Sequence, residues 1–163
     1  MRWSLILSKK QYTIIIVTKD GICLNALKDD IPTQGRVSAG VRGIMLHDGD
    51  YVVLMTQING EGEIVIATDE AKFKRVISSQ IEPSKRYRKG NIIVGLRDGA
   101  SVLCASYVTT PYMLAVVDKD GVVSELSSED VFISVQSARA KKISRYAENS
   151  VVKVIPLPYK KGE

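Results

Sequence analysis

Thr18-Lys19-Asp20-Gly21 returns as Thr68-Asp69-Glu70-Ala71 and again as Asp118-Lys119-Asp120-Gly121, each time fifty positions further along the chain. Each tetrad has the chemistry of a hairpin corner, with polar residues followed by Gly or a small residue where the backbone must turn. The register holds on both sides of the corner without a gap. Ile31, Ile81 and Val131 align, as do Gly40, Gly90 and Ala140; so do Asp48-Gly49, Asp98-Gly99 and Glu148-Asn149, and Val52, Val102 and Val152. Coincidences at a single offset mark a repeat architecture. Leu5 falls where Met55 and Ala105 fall, so residues 2–7 read as a strand closing a preceding unit. Three repeats follow, at approximately 12–58, 62–108 and 112–158.

Within a repeat the pattern is that of strands. Ile14-Ile15-Ile16-Val17, Ile64-Val65-Ile66-Ala67 and Met113-Leu114-Ala115-Val116-Val117 are short apolar or β-branched runs, each ending at the corner. A second strand is expected over Ile22 to Leu27, Phe73 to Ile77 and Val122 to Leu126. Two more complete the unit, in the first repeat Val41 to Leu46 and Tyr51 to Ile58, hinged at Asp48-Gly49. No segment sustains a helical period. Four strands per repeat at this spacing describe an all-β, propeller-like array in a single domain.

The 163 residues suffice to bury roughly two-thirds of the unfolded surface, and 45% hydrophobic with 25% charged residues excludes disordered and collagenous classes. Cys23 and Cys104 lie in apolar stretches without CxxC spacing, so buried free thiols in a reducing compartment are expected rather than a disulfide framework or a zinc site. The longest aliphatic run, Ile14 to Val17, is far short of the ~20 residues that a membrane helix needs, and Met1 to Ser8 lacks a signal-peptide core. A cytoplasmic location, without membrane association, is the expectation. His47 is the only histidine and has no second ligand type beside it; Asp29-Asp30 and Ser128-Glu129-Asp130 recur in register as loop residues; Gly21, Gly49, Gly99 and Gly121 are turn glycines. These features predict no catalytic residue, no metal and no cofactor.

The charge is more informative. Lys and Arg number 23 against 18 Asp and Glu, a net charge of +5. Between Lys72 and Lys89, seven cations (Lys72, Lys74, Arg75, Lys85, Arg86, Arg88, Lys89) face a single acid, Glu82, and a second cluster follows at Arg139, Lys141, Lys142 and Arg145. Cations on loops can follow a phosphate path, whose occupation releases counterions. Alternation along a strand should point Lys74 and Arg75 to opposite faces, so that only one of them need touch a ligand.

Gly35-Arg36-Val37-Ser38-Ala39-Gly40-Val41-Arg42-Gly43-Ile44-Met45-Leu46, followed by Gly49-Asp50-Tyr51-Val52-Val53, resembles a blade of the C-terminal domain of the gyrase A subunit and its topoisomerase IV counterpart. Ala67 to Arg75 resembles the same family's turn and strand, with Ala71 where Gly is usual; the third repeat agrees in its hairpin, Val117 to Gly121. The family also carries a Gln-basic-basic-Gly-Gly-basic-Gly heptad, the gyrase box. In register with it stand Gln34-Gly35-Arg36-Val37-Ser38-Ala39-Gly40 and Ser84-Lys85-Arg86-Tyr87-Arg88-Lys89-Gly90. Neither is complete, the second having Tyr87 and Arg88 in place of the paired glycines. That departure favours a topoisomerase IV subunit, a fragment or a divergent paralogue over a fully wrapping gyrase.

The resemblance implies a β-pinwheel, in which an outer strand is exchanged between neighbouring four-stranded blades, and a basic rim around which duplex DNA bends without sequence specificity. It implies a binding module in the control of DNA topology, associated with the nucleoid, whose partners are DNA, the remaining domains of the A subunit and the ATPase subunit. Cleavage and ATP hydrolysis belong to those other domains. The DNA-contact candidates are Arg36, Arg42, Lys74, Arg75, Lys85, Arg86, Arg88, Lys89, Arg139, Lys141 and Lys142. A protein-interaction module with incidental charge is the rival. Three repeats leave terminal edges open, so the chain is expected either to be a piece of a longer subunit or, if free-standing, to pair end to end with a second copy as a homodimer.

Overall fold

The computed structural model describes residues 12–109, 112–146 and 150–157. The expected leading strand 2–7 lies outside them. The strands are β1 (Thr13–Thr18), β2 (Ile22–Leu27), β3 (Val52–Ile58), β4 (Glu63–Thr68), β5 (Lys72–Ile77), β6 (Asn91–Ile92), β7 (Val102–Val108), β8 (Met113–Asp118), β9 (Val123–Ser127), β10 (Lys141–Lys142) and β11 (Val151–Leu157). They form three antiparallel sheets in the orders β3-β1-β2-β6, β10-β5-β4-β7 and β11-β8-β9. The innermost strands β3, β7 and β11 lie in succession against one another, so the sheets stand side by side as blades.

Sheet faces explain the core. Every residue of β4 is buried, and alternate side chains serve different neighbours. Ile64 and Ile66 join Ile15, Val17 and Ile58 in a core between the first and second sheets. Val65 and Ala67 join Leu114, Val116 and Leu126 between the second and third. Ile14, Ile16, Leu24, Ala26 and Ile44 form a third cluster on the far side of the first sheet.

The corners form where the tetrads recur. Gly21 and Gly121 take φ of +77° and +79°, and Ala71 takes +56° in a fully buried position. The hydroxyls of Thr18 and Thr68 accept the amides of Ile22 and Lys72, and the Asp118 carboxylate accepts that of Val122. Asp29-Asp30 and Ser128-Glu129-Asp130 fall within single 3-10 turns at Lys28–Asp30 and Ser128–Asp130, matched at Ser78–Gln80.

The outer strand of each four-stranded sheet comes from the following repeat. β6 places Ile92 opposite Ile22 and Asn91 opposite Cys23; β10 repeats this one blade on, with Lys142 opposite Lys72 and Lys141 opposite Phe73. The fold is therefore a pinwheel. Side chains reinforce each joint in register. Asn25 donates to the Ile81 carbonyl at 2.6 Å, and Arg75 donates to that of Val131 at 2.7 Å. Arg86 reaches the Asp30 carbonyl, and Gln136 reaches that of Gln80.

Two expectations change. The segment Val41 to Leu46 is not a strand, because no sheet edge among the described residues stands beside it and a short outer strand has little stability alone. The third sheet has three strands rather than four for the complementary reason: the outer edge of β9 has no partner strand among the described residues, and Val122 and Val123 are each 61% exposed.

Lys74 fastens the second joint. Its side chain is buried, and its ammonium lies 2.7 Å from the Ile93 carbonyl, 2.7 Å from that of Val135, 2.5 Å from that of Gln136 and 2.8 Å from that of Ala138. Burial pushes the ammonium down to about 8, and the four carbonyl dipoles are what stabilise a charge placed there. Beside it, Arg75 pairs with Glu63 at 3.0 Å, and Tyr112 donates to the same carboxylate.

Lys74→Met should fill similar volume but leave those carbonyls without their donor, at a cost of about 3 kcal/mol and a melting temperature lowered by about 10 °C. Thermal unfolding followed by circular dichroism checks it. Gly90 has φ +75°, and a Cβ there would stand 2.5 Å from the Cys23 carbonyl oxygen. Gly90→Ala should therefore loosen the first joint by about 2 kcal/mol, measured by urea denaturation.

Candidate nucleic-acid interface

The basic segment of the second repeat lies along the first. Leu27 N donates to the Ser84 carbonyl and Ser84 N to that of Asn25; further on, Tyr87 N donates to Gly43 O and Met45 N to Arg88 O. These bonds set Lys85 to Lys89 beside Arg42. The Arg42 guanidinium stacks 5.5 Å from the Tyr87 ring centroid and donates to its hydroxyl at 2.9 Å. Arg86 turns partly inward, its guanidinium bonding the carbonyls of Asp30 and Arg42. Lys85, Arg88 and Lys89 are exposed. Residues 84–91, with Leu24 and Met45, line an open groove of about 660 Å³.

The same arrangement recurs one blade on. Gly95 N donates to the Ala138 carbonyl, as Met45 N does to that of Arg88. This brings Arg139 against Gly95 and leads into β10, where Lys141 and Lys142 are exposed and the Lys141 ammonium lies 4.5 Å from the Phe132 ring centroid. Backbone hydrogen bonds thus tie the segment bearing Arg42 to that bearing Lys85 to Lys89 and, one blade on, tie Gly95 to the residue before Arg139, so that a belt segment of exposed cations lies at each of the two joints. None of these cations is in an ion pair among the described residues; the ion pairs nearby belong to Lys72, Arg75, Arg97 and Arg145.

Two of the sequence-derived candidates do not reach the surface. Lys74 is 1% exposed with its ammonium enclosed by carbonyls, and the Arg75 side chain is 12% exposed and bound to Glu63 and Val131. Both faces of β5 are covered, so strand alternation sends neither residue outward. Arg36 is exposed, on the first-repeat segment that has no sheet edge beside it. Arg97 was not among the candidates. Its side chain is 60% exposed, 3.6 Å from Glu70, and it lines a small recess with Arg139. Its register with His47 in the equivalent turn was the signal that could have found it.

Tyr87 has φ +57°. The left-handed conformation that favours glycine is kept at the position where the gyrase box has its first glycine, although the residue is tyrosine. Among the described residues no group of three His, Cys, Asp or Glu is placed to hold a metal, and no helix is long and apolar enough to cross a membrane. Burial pushes the Cys23 thiol up to about 12 and that of Cys104 up to about 11, away from reactive thiolates.

Comparison with known proteins agrees with this architecture. A family model described as DNA gyrase C-terminal domain, beta-propeller, matches residues 12–59 and 62–103. The DNA gyrase A subunit of Fibrobacter succinogenes is 28% identical over 86% of this chain and 16% of its own length, and that of Staphylococcus epidermidis 27% identical over 87% and 16%. The chain thus spans about a sixth of the length of these relatives. Among solved structures, the C-terminal domain of DNA topoisomerase IV superposes with a TM-score of 0.79 at 19% identity, covering 90% of this chain and 47% of that one. A DNA gyrase A C-terminal domain gives 0.74 at 21% identity, covering 91% and 52%. The exchanged blades, their corners and the matched sequence have one common assignment: the chain belongs to the DNA gyrase C-terminal domain family of beta-propellers.

Proposed function

We propose that this chain binds duplex DNA along its basic belt and bends it, acting in DNA topology as the C-terminal domain of a gyrase or topoisomerase IV A subunit does. The observation that carries this reading is the alignment of Arg42, Lys85, Arg88, Lys89, Arg139, Lys141 and Lys142 on successive, hydrogen-bonded outer segments. Cations spaced along a rim suit a phosphate backbone that curves with it. Contacts to phosphate position DNA without reading bases, so any preference among sequences comes from how easily each bends. Arg36 extends the belt on the first repeat, and Arg86 contributes by holding Arg42 in place as well as by charge.

On this reading the chain is an accessory binding module rather than an enzyme. Strand cleavage and ATP hydrolysis are supplied by the rest of the A subunit and by the ATPase subunit, its protein partners, and its place in the cell is on the nucleoid. Membership of the family supports this.

Fluorescence anisotropy of a labelled duplex of a few tens of base pairs, titrated across a salt series, tests the proposal. Binding should weaken linearly in log-log salt, and Lys85, Arg88 and Lys89 changed together to Ala should lower the slope by about 3. Lys74→Met should leave the slope unchanged under conditions where the variant is folded. Absence of binding at low salt, or a slope indifferent to the triple substitution, would overturn the reading.

A further inference from the structure

The two joints begin and end alike but differ in the middle. Ser84 N donates to the Asn25 carbonyl where the first begins, and Ser134 N, fifty residues on, donates to that of Arg75 where the second begins. The first ends with Asn91–Ile92 against β2 and the second with Lys141–Lys142 against β5. Beneath the span between these fixed points lies Leu24 in the first joint and, at the equivalent position, Lys74 in the second.

Over these two residues the backbone takes different courses. Above Leu24 it has left-handed bends at Tyr87 and Gly90, φ +57° and +75°, and the Tyr87 amide donates to the Gly43 carbonyl. No residue from 132 to 142 takes a positive φ, and the carbonyl equivalent to that of Gly43, Ile93 O, accepts from the Lys74 ammonium. The carbonyls of Val135, Gln136 and Ala138 converge on the same ammonium within 2.5–2.8 Å. Carbonyl dipoles aimed at one point repel each other unless a cation stands between them, so this course of the chain is favourable only around a charged donor. Leucine supplies none, and Leu24 lies at the wall of an open groove.

We propose that Lys74 is a positioning residue for the basic belt: by drawing the carbonyls of residues 135, 136 and 138 inward, it sets the direction in which the same segment presents Arg139, Lys141 and Lys142. Ala138 O is the pivot, since it accepts from both Lys74 and Gly95 N and belongs to the residue before Arg139. The segment lies close against the second blade there. A Cβ on Gly95 would stand 2.9 Å from the Ser137 carbonyl oxygen and 3.3 Å from Arg139 Cγ. A lysine that is 1% exposed and cannot itself touch DNA thus governs three exposed cations that can. The step from segment to DNA rests on the nucleic-acid reading above, whereas the step from Lys74 to segment does not.

Lys74→Leu gives the second joint the residue of the first, and amide hydrogen exchange followed by NMR reads the effect. Where circular dichroism shows the variant folded, the Gly95 and Ala138 amides, whose acceptors are the Ala138 and Val135 carbonyls, should exchange about tenfold faster or more, while the Tyr87 and Met45 amides of the first joint keep their rates. Acceleration shared equally by both joints would mean a contribution to stability alone and overturns the proposal. In the duplex titration the variant should bind about tenfold more weakly at fixed salt with an unchanged slope, because the same cations meet the same phosphates after the segment has been ordered by binding. Unchanged affinity, beside an unaltered chain that binds, also overturns it. Absence of binding by the unaltered chain defeats the nucleic-acid reading, and the exchange rates then still decide whether Lys74 orders the segment. If the variant does not fold, the unaltered chain suffices: the enclosed Lys74 ammonium protons should be observable by NMR at neutral pH, with through-space contacts to residues 136 and 138, and their absence overturns the proposal.

Discussion

Everything in this fold depends on backbone groups at the outer edge of a blade finding partners that their own repeat does not provide. β2 and β5 would each present a bare row of amides and carbonyls, a costly and adhesive surface. The following repeat supplies the missing strand in each case. Because that strand is only two residues long, side chains add to it: Asn25 and Arg75 from the acceptor, Arg86 and Gln136 from the donor. Lys74 adds the strongest tie, one ammonium gathering carbonyls from two successive repeats.

The same joints place the charge. A segment crossing from one blade to the edge of the previous one must run over the outside of the array, and its side chains that do not face the sheet face solvent. Lys85, Arg88, Lys89, Lys141 and Lys142 occupy such positions. The exchanged strand is thus both the fastening of the array and the carrier of its belt. Residues close in sequence divide between the two tasks, Arg86 turning inward to carbonyls while Lys85 and Arg88 remain outside.

The fifty-residue register made the corners, the strand runs and the basic segments legible, since each rests on local residue chemistry that repeats. Strand exchange was not legible in periodicity. A strand pairing within its repeat and one pairing with the previous repeat have the same local pattern, and only the family resemblance distinguished them. Lys74 was misread because lysine next to arginine ordinarily signals surface, and its burial depends on carbonyls contributed from residues 93, 135, 136 and 138. Tyr87 shows the reverse case. The sequence departs from the glycine pattern of the gyrase box, but the backbone keeps the left-handed bend, held by hydrogen bonds to Gly43 and Arg42.

Exchange also has a consequence for synthesis. Ile22 leaves the ribosome long before Ile92, its partner across the sheet, and Lys72 long before Lys142. Each blade therefore waits, three strands complete and one edge open, until the first two strands of the next repeat and the segment after them have been translated. The nascent chain carries such an edge forward at every stage, and the order of assembly is imposed from the N-terminal end.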